Sequence, residues 1–308
     1  MLDFLFSKPF AIRITNNFVQ VMSIVGNKKK IKAINFAEEK IPEGIIINNE
    51  IIDEKVLSQI IKTTLAKAKP NPISSKKCIL VWPENLTYTQ LFPSIKPATD
   101  EVLKKEMEEL ISGVIPISLS ESNYNYQTYT FGDKKVAFIA VAEKEKLNNY
   151  QTFLNNTCGL KVVGIEPEFI SLIRNLPTEY VKGQSAAFIH TEFNSINIIL
   201  TFSGIIFDSI RVKYSLNPKQ VLAHELTKSI NLFSEQMNQK IVNIFLIGEN
   251  EFESLLNEKF QLPRKQILKF NLDLSKMNYN NGNNLHIISG AALKTIGFET
   301  GMPINLLQ

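Results

Sequence analysis

The sequence predicts an α/β protein of two lobes, each opening on three meandering strands. Three observations carry this. Phe10–Ile14, Phe18–Ile24 and Lys32–Ile41 are apolar, β-branched runs separated by the turn pairs Asn16-Asn17 and Gly26-Asn27. Ser185–Thr191, Ser195–Thr201 and Gly204–Val212 repeat the pattern around Glu192-Phe193-Asn194 and Phe202-Ser203. Each triplet is followed by a helical stretch and a further apolar strand, Lys77–Trp82 in the first half and Ile241–Ile247 in the second. A chain of 308 residues is long enough for two cores.

The elements follow in order. After Pro42-Glu43-Gly44, Asp53 caps a helix over Asp53–Lys67, with Val56, Ile60, Ile61 and Leu65 as its apolar stripe. Pro70-Asn71-Pro72 breaks the chain before the buried strand Lys77–Trp82. Strand-strand-strand-helix-strand is the opening of a ribonuclease-H-like lobe. Residues 91–157 read as an inserted α/β subdomain. It holds a helix over Ala98–Ser112, two antiparallel strands, Tyr124–Phe131 and Lys135–Glu143, and a helix over Lys144–Thr157. Lys161–Glu166 and Pro167–Asn175 return as strand and helix, so the first-lobe core comprises 1–90 and 158–178.

The second lobe, 179–308, has 213–272 as its outer subdomain. Its later elements are a helix over Asn217–Asn238, the strand Ile241–Ile247, a helix over Glu251–Lys259 and a strand over Gln266–Leu272. The Asn-rich stretch Asn278–Asn284 is a loop, and Leu285–Ile296 a last helix carrying Ser289-Gly290-Ala291-Ala292.

Composition excludes several classes. Hydrophobic content of 44% and charged content of 21% are those of a globular protein. The net charge is only +4, and the one basic run, Lys28-Lys29-Lys30, has no aromatic companions, so it reads as a solvated hairpin tip and no nucleic-acid partner is expected. Cys78 and Cys158 fit no metal spacing and read as buried free thiols. Val136–Ala142, the longest apolar run, is too short to span a bilayer. Met1–Phe10 lacks the basic region and cleavage site of a signal peptide, so no direct membrane insertion is expected.

A two-lobed nucleotide fold grips phosphates with strand turns. Such turns need bare backbone N–H groups, which glycine permits, and a nearby acidic residue to hold Mg²⁺. The candidate turns here are Ile12–Asn17, Ile189–Asn194 and Leu246–Asn250. Arg13 and His190 stand at the acidic positions, followed by Thr15, Asn16, Asn17 and Glu192; Gly248 is the one glycine left, beside Glu249. No ATP, magnesium or other metal, and no catalytic residue, is therefore expected; an active ATP-binding protein or ATPase with differently placed turns is the alternative. Arg13 is expected in a surface or inter-lobe ion pair. His190 is expected at a strand end, with Glu192 its nearest partner and His224 and His286 far off in sequence. Trp82 is either a core aromatic or a groove-lining anchor.

The order of segments resembles the PilM family of type IV pilus assembly proteins, which are actin-like and related to FtsA. The resemblance runs over nearly the whole chain. It is carried by Ile41-Pro42-Glu43-Gly44 with Glu50-Ile51-Ile52-Asp53, by Phe92-Pro93 and Val114-Ile115-Pro116, and by Gly159-Leu160 and Ile165-Glu166-Pro167. His224–Ile230 before Asn243–Gly248, and the closing Ile304-Asn305-Leu306-Leu307, complete it. The family's phosphate turns carry Asp and Gly where this chain has Arg13, Thr15, His190 and Glu192.

The resemblance implies an actin-like ATPase fold and a cytoplasmic scaffold peripheral to the inner membrane. The implied partner is a short peptide of a PilN-like membrane subunit, bound near Trp82, Leu91, Phe92 and Pro93. Pilus motor ATPases and self-association are further implied partners. The string Ile304-Asn305-Leu306-Leu307 is similar to that partner peptide. It is expected to fold onto the second lobe or to occupy a neighbour's groove.

Overall fold

The computed structural model of the chain describes residues 8–93, 100–131, 134–176, 183–192, 195–213, 218–247, 272, 285–298 and 304–307. The first meander is β1 (Phe10–Ile14), β2 (Phe18–Asn27) and β3 (Lys30–Lys40). A small hairpin, β4 (Ile46–Ile47) and β5 (Glu50–Ile51), precedes α1 (Glu54–Lys67) and β6 (Lys77–Trp82). The insert contributes β7 (Thr87–Pro93), α2 (Asp100–Val114), β8 (Ser122–Phe131), β9 (Lys134–Glu143) and α3 (Lys144–Thr152). The chain returns through β10 (Lys161–Pro167) and α4 (Glu168–Arg174). The second meander is β11 (Ser185–Glu192), β12 (Ser195–Phe202) and β13 (Ile205–Lys213), followed by α5 (Pro218–Met237), β14 (Asn243–Ile247) and α6 (His286–Lys294).

Both lobes are built the same way. The first sheet has the order β10-β6-β1-β2-β3. β1 pairs antiparallel with β2 and parallel with β6, as in Ile12↔Leu80. Helices cover both faces of such a parallel pair, which is why every residue of β1 is buried. The second sheet has the order β13-β12-β11-β14, again an antiparallel meander with a parallel strand beside its first member. α1 packs on β2 and β3, and α5 on β12 and β13, the same place in each lobe. This repeated topology is the actin-like fold. The helices Glu251–Lys259 and strand Gln266–Leu272 expected from the sequence fall outside the described residues, apart from Leu272.

Local chemistry explains the elements. The Asp53 carboxylate accepts the Val56 N–H at 2.9 Å and caps α1. Leu57, Ile61 and Leu65 face the sheet, whereas Val56 is exposed, so the stripe is turned by one residue from that expected. The tip of the β2–β3 hairpin is held by Asn27, whose side-chain oxygen accepts the N–H groups of Lys29 and Lys30. The three lysines there are exposed, as the hairpin-tip reading has it.

The insert is a three-stranded antiparallel sheet of order β7-β9-β8. Two of its strands are expected from the sequence; β7, starting at Thr87, is not. Its polar Thr-Tyr-Thr-Gln opening hides it, and Phe92-Pro93 marks its end rather than a boundary. β9 is the central strand, and its two faces serve two cores. Val136, Phe138, Ala140 and Ala142 face the main core. Ala137, Ile139 and Val141 pack under Leu103, Met107 and Ile111 of α2. The longest apolar run is thus a doubly buried strand. No helix among the described residues is long and apolar enough to cross a membrane.

Two further corrections concern the ends of elements. The helix expected over Lys144–Thr157 stops at Thr152 and loosens into a π turn over Phe153–Thr157, closed by Cys158 N–H on Phe153 O at 3.1 Å. Asn155 there turns its side chain to the Val162 N–H at 3.0 Å, engaging one N–H at the start of β10. α6, assigned by the sequence to the second lobe, packs on β1, β2 and β6 of the first sheet. It also crosses α4 closely at Gly290, where a Cβ would lie 1.7 Å from the Ser171 carbonyl oxygen.

Candidate functional site

The first cleft turn is closed on itself. The Thr15 hydroxyl accepts the N–H groups of Asn17 at 3.2 Å and Phe18 at 3.1 Å, and the Thr15 N–H donates to Phe18 O. The Asn16 side chain accepts the Asn49 N–H at 3.3 Å, tying the turn to the β4–β5 hairpin. The N–H groups of Thr15, Asn17 and Phe18 are thus engaged within the turn.

Arg13 does not face solvent. It is fully buried, and its Nε donates to Glu168 Oε1 at 2.7 Å. Glu168 opens α4, and its other oxygen lies 3.3 Å from the Glu84 N–H and 3.5 Å from Arg211 on β13. Arg13 is thus in an ion pair, but one buried within the first lobe rather than on the surface or between lobes; only the contact of Arg211 with Glu168 reaches the second lobe. The insert also touches the second lobe through the hydroxyls of Thr89 and Ser209, 3.1 Å apart. Glu168 escapes sequence reasoning, although a signal is present. Charges at 166, 168 and 174 flank Phe169–Ile173, a wholly apolar stretch apart from Ser171, and every residue of α4 is buried. Charges at such an element require internal partners.

His190 is fully buried on β11, paired in register with Asn197 and Ile247. Sequence separates it from His286, but the fold brings the two rings edge to face at 6.4 Å. Burial, with His190 beside it, pulls the His286 pKa down to about 3, so this imidazole is neutral at pH 7. Glu192 ends β11 opposite Ser195; its side chain lies outside the described residues, as do Gly248 and Glu249. Among the described residues no group of His, Cys, Asp and Glu could hold a metal ion. Cys78 and Cys158 are both buried and free, and burial pushes the Cys78 thiol up to about 12, far from a reactive thiolate.

The expected groove residues lie mostly inside the fold. Trp82 is fully buried, with its indole N–H on Leu86 O at 3.2 Å and its ring edge to face with Tyr150. Of the two readings of Trp82, the core aromatic fits this placement. Leu91 is also buried. Phe92 is partly buried and packs against the α2 core, and Pro93 pairs with Val136, its side chain outside the described residues.

The segment Ile304–Leu307 sits instead at the join between the first lobe and the insert. It follows the free outer edge of β10, the last strand of the first sheet. Leu306 N–H donates to Ile165 O at 2.9 Å. The Asn305 side-chain oxygen accepts the Ile165 N–H at 2.9 Å and the Leu307 N–H at 3.2 Å. Asn123 on β8 reaches Leu306 O at 3.4 Å. Ile304 and Leu306 are fully buried, while Asn305 and Leu307 are partly buried. The segment is thus seated on the first lobe rather than the second, because β10 offers an unpaired strand edge and the insert closes the other side.

No family model matches the chain, and no curated protein matches it in sequence. Its fold is similar to that of solved structures. A chain of a PilM–PilN type IV pilus biogenesis complex superposes with a TM-score of 0.74 at 14% identity, covering 94% of this chain and 99% of that one. The cytoplasmic domain of EpsL, an inner-membrane component of the type II secretion system of Vibrio cholerae, superposes with a TM-score of 0.55 at 11% identity, covering 98% of both chains. The chain has an actin-like fold similar to that of a protein from the PilM–PilN complex.

Proposed function

We propose that this chain is a cytoplasmic scaffold of a type IV pilus or type II secretion machine, tethered to the inner membrane by an extended peptide of a PilN-like subunit. The fold likeness over nearly the full length of both chains supports the class of machine. The observation that carries the binding mode is the segment Ile304–Leu307 held on the edge of β10 through Ile165 and Asn123. An extended peptide can add to such an edge through its main chain while alternate side chains fill pockets. Burying two branched aliphatic side chains contributes about 1.5–3 kcal/mol each before ordering costs, so the main-chain and asparagine hydrogen bonds must supply the rest of the roughly 8 kcal/mol of a micromolar complex. The groove in this reading runs beside Ile165 and Asn123, not over Trp82 and Leu91. Co-expression of the full chain with the membrane subunit tests it. The subunit is expected to co-purify, and a photo-crosslinker at position 123 to capture its cytoplasmic peptide. A folded chain that leaves the subunit behind overturns the reading.

The same proposal holds that the cleft does not turn over ATP. The engaged turn of Thr15 and the buried Arg13–Glu168 pair support this. Phosphoryl transfer depends on positioned Mg²⁺ and free donors, and neither is provided by these residues. Calorimetry with Mg-ATP is expected to give no micromolar binding, and phosphate release no faster than the buffer blank. Micromolar affinity would favour the active-ATPase alternative.

A further inference from the structure

We propose that the β10 edge is an exchangeable peptide site whose resident ligand is the chain's own Ile304-Asn305-Leu306-Leu307, so that an incoming extended peptide of the same chemistry must displace it. The inference rests on the peptide-binding reading above and adds its regulation. The segment is held as a bound peptide is held. Burial alternates, with Ile304 and Leu306 inside, the period of an extended strand. Its described polar contacts are with Ile165 of β10, with Asn123 of β8 and within the segment itself. None of these contacts depends on the covalent link to α6. A separate peptide with Asn between two branched aliphatic residues could make every one of them.

Asparagine sets the specificity. One side-chain oxygen accepts both the Ile165 N–H and the N–H two residues on, an Asx turn laid against a strand edge. Alanine would leave a partly buried strand N–H without that acceptor, which weakens a complex by about 10- to 100-fold. The segment begins six residues after Phe298, the last described residue beyond α6. A tether of that length gives an effective concentration of about 1 mM or more. For a peptide of about 10 µM affinity, a competitor at that concentration weakens apparent binding roughly 100-fold.

Hydrogen exchange on the full chain tests this with the hexapeptide Pro-Ile-Asn-Leu-Leu-Gln and its Asn-to-Ala version as probes. With millimolar hexapeptide, the chain's own 304–307 amides are expected to exchange at least tenfold faster while Ile165 stays protected. The Ala version should leave both unchanged at the same concentration. In a second measurement, labelled hexapeptide is expected to bind the full chain carrying Leu306→Asp at least tenfold more tightly than the wild type. A segment that stays protected at saturating peptide, or equal affinity for wild type and a folded Leu306→Asp chain, overturns the proposal. If the membrane subunit still co-purifies in that case, the scaffold reading survives; if neither peptide nor subunit binds, both fall. A dimer by light scattering that vanishes in Leu306→Asp would assign the segment to a second copy and overturn the arrangement within one chain.

Discussion

Glu166→Gln is expected to lower stability by about 3–5 kcal/mol at pH 7, the cost of leaving a buried charge without its partner. Glu166 is fully buried at the end of β10. It accepts from Ser171 Oγ at 2.6 Å, from both terminal nitrogens of Arg174 and from Lys294 Nζ at 2.8 Å. Arg174 lies on α4 and Lys294 on α6, so one carboxylate ties together a strand and the two crossing helices. Gln retains one acceptor oxygen but turns an amide donor on a buried guanidinium. Urea denaturation of both proteins at pH 7 measures the difference; a loss below about 1 kcal/mol would show that the pair is no better than a neutral one.

The same group gives the acid response a defined shape. Burial alone would raise the Glu166 pKa, but the charges and hydrogen bonds of Arg174 and Lys294 outweigh it and hold the carboxyl at about 2, against an ordinary 4.5. A carboxyl whose folded pKa is depressed stabilises the fold above its unfolded pKa. That contribution, about 3 kcal/mol for this difference, is lost as pH falls from 4.5 to about 2. His286 acts in a separate window. Its folded pKa of about 3 lies below the ordinary 6.5, so the unfolded chain takes up a proton first and stability falls as pH drops from 6.5. Glu166→Gln should therefore remove the lower part of the acid transition and leave the part starting near pH 6.5.

Much of this architecture is legible in the sequence, and what is hidden is hidden for physical reasons. The meanders show because apolar alternation and Asn or Gly turns are local signals. Phe10–Ile14 and Lys77–Trp82 have the expected bounds. β7 is missed because edge pairing makes a strand of a polar run that local propensity does not mark. The Arg13–Glu168 pair joins residues 155 apart in sequence, and His190 meets His286 across the lobes. Neither has a local signature. The string Ile304-Asn305-Leu306-Leu307 is visible, but its seat is not, since an unpaired edge at β10 exists only once strand order is known.

Gly290→Ala is expected to destabilise the protein by about 3 kcal/mol or more, against the ordinary trend. Alanine in a helix interior gains about 1 kcal/mol over glycine from backbone entropy alone. At Gly290 a new Cβ would lie 1.7 Å from the Ser171 carbonyl oxygen and 2.6 Å from its carbon. These are backbone atoms of α4, so no rotamer can relieve the overlap. The helices must separate, stretching the Asn175–Ser289 hydrogen bond of 2.8 Å and the Arg174 contact to Gly290 O. Overpacking of a tight contact costs 1–3 kcal/mol where side chains can adjust, and more where main chain must move. Sterics therefore wins over propensity here. Gly113 in α2 supplies the opposite case. Nothing lies within 4 Å of its Cβ position, so Gly113→Ala is expected to stabilise by about 0.4–1 kcal/mol. Urea denaturation of the two variants beside the wild type should give shifts of opposite sign. A Gly290→Ala protein as stable as the wild type would mean that α4 and α6 do not cross in contact at this residue.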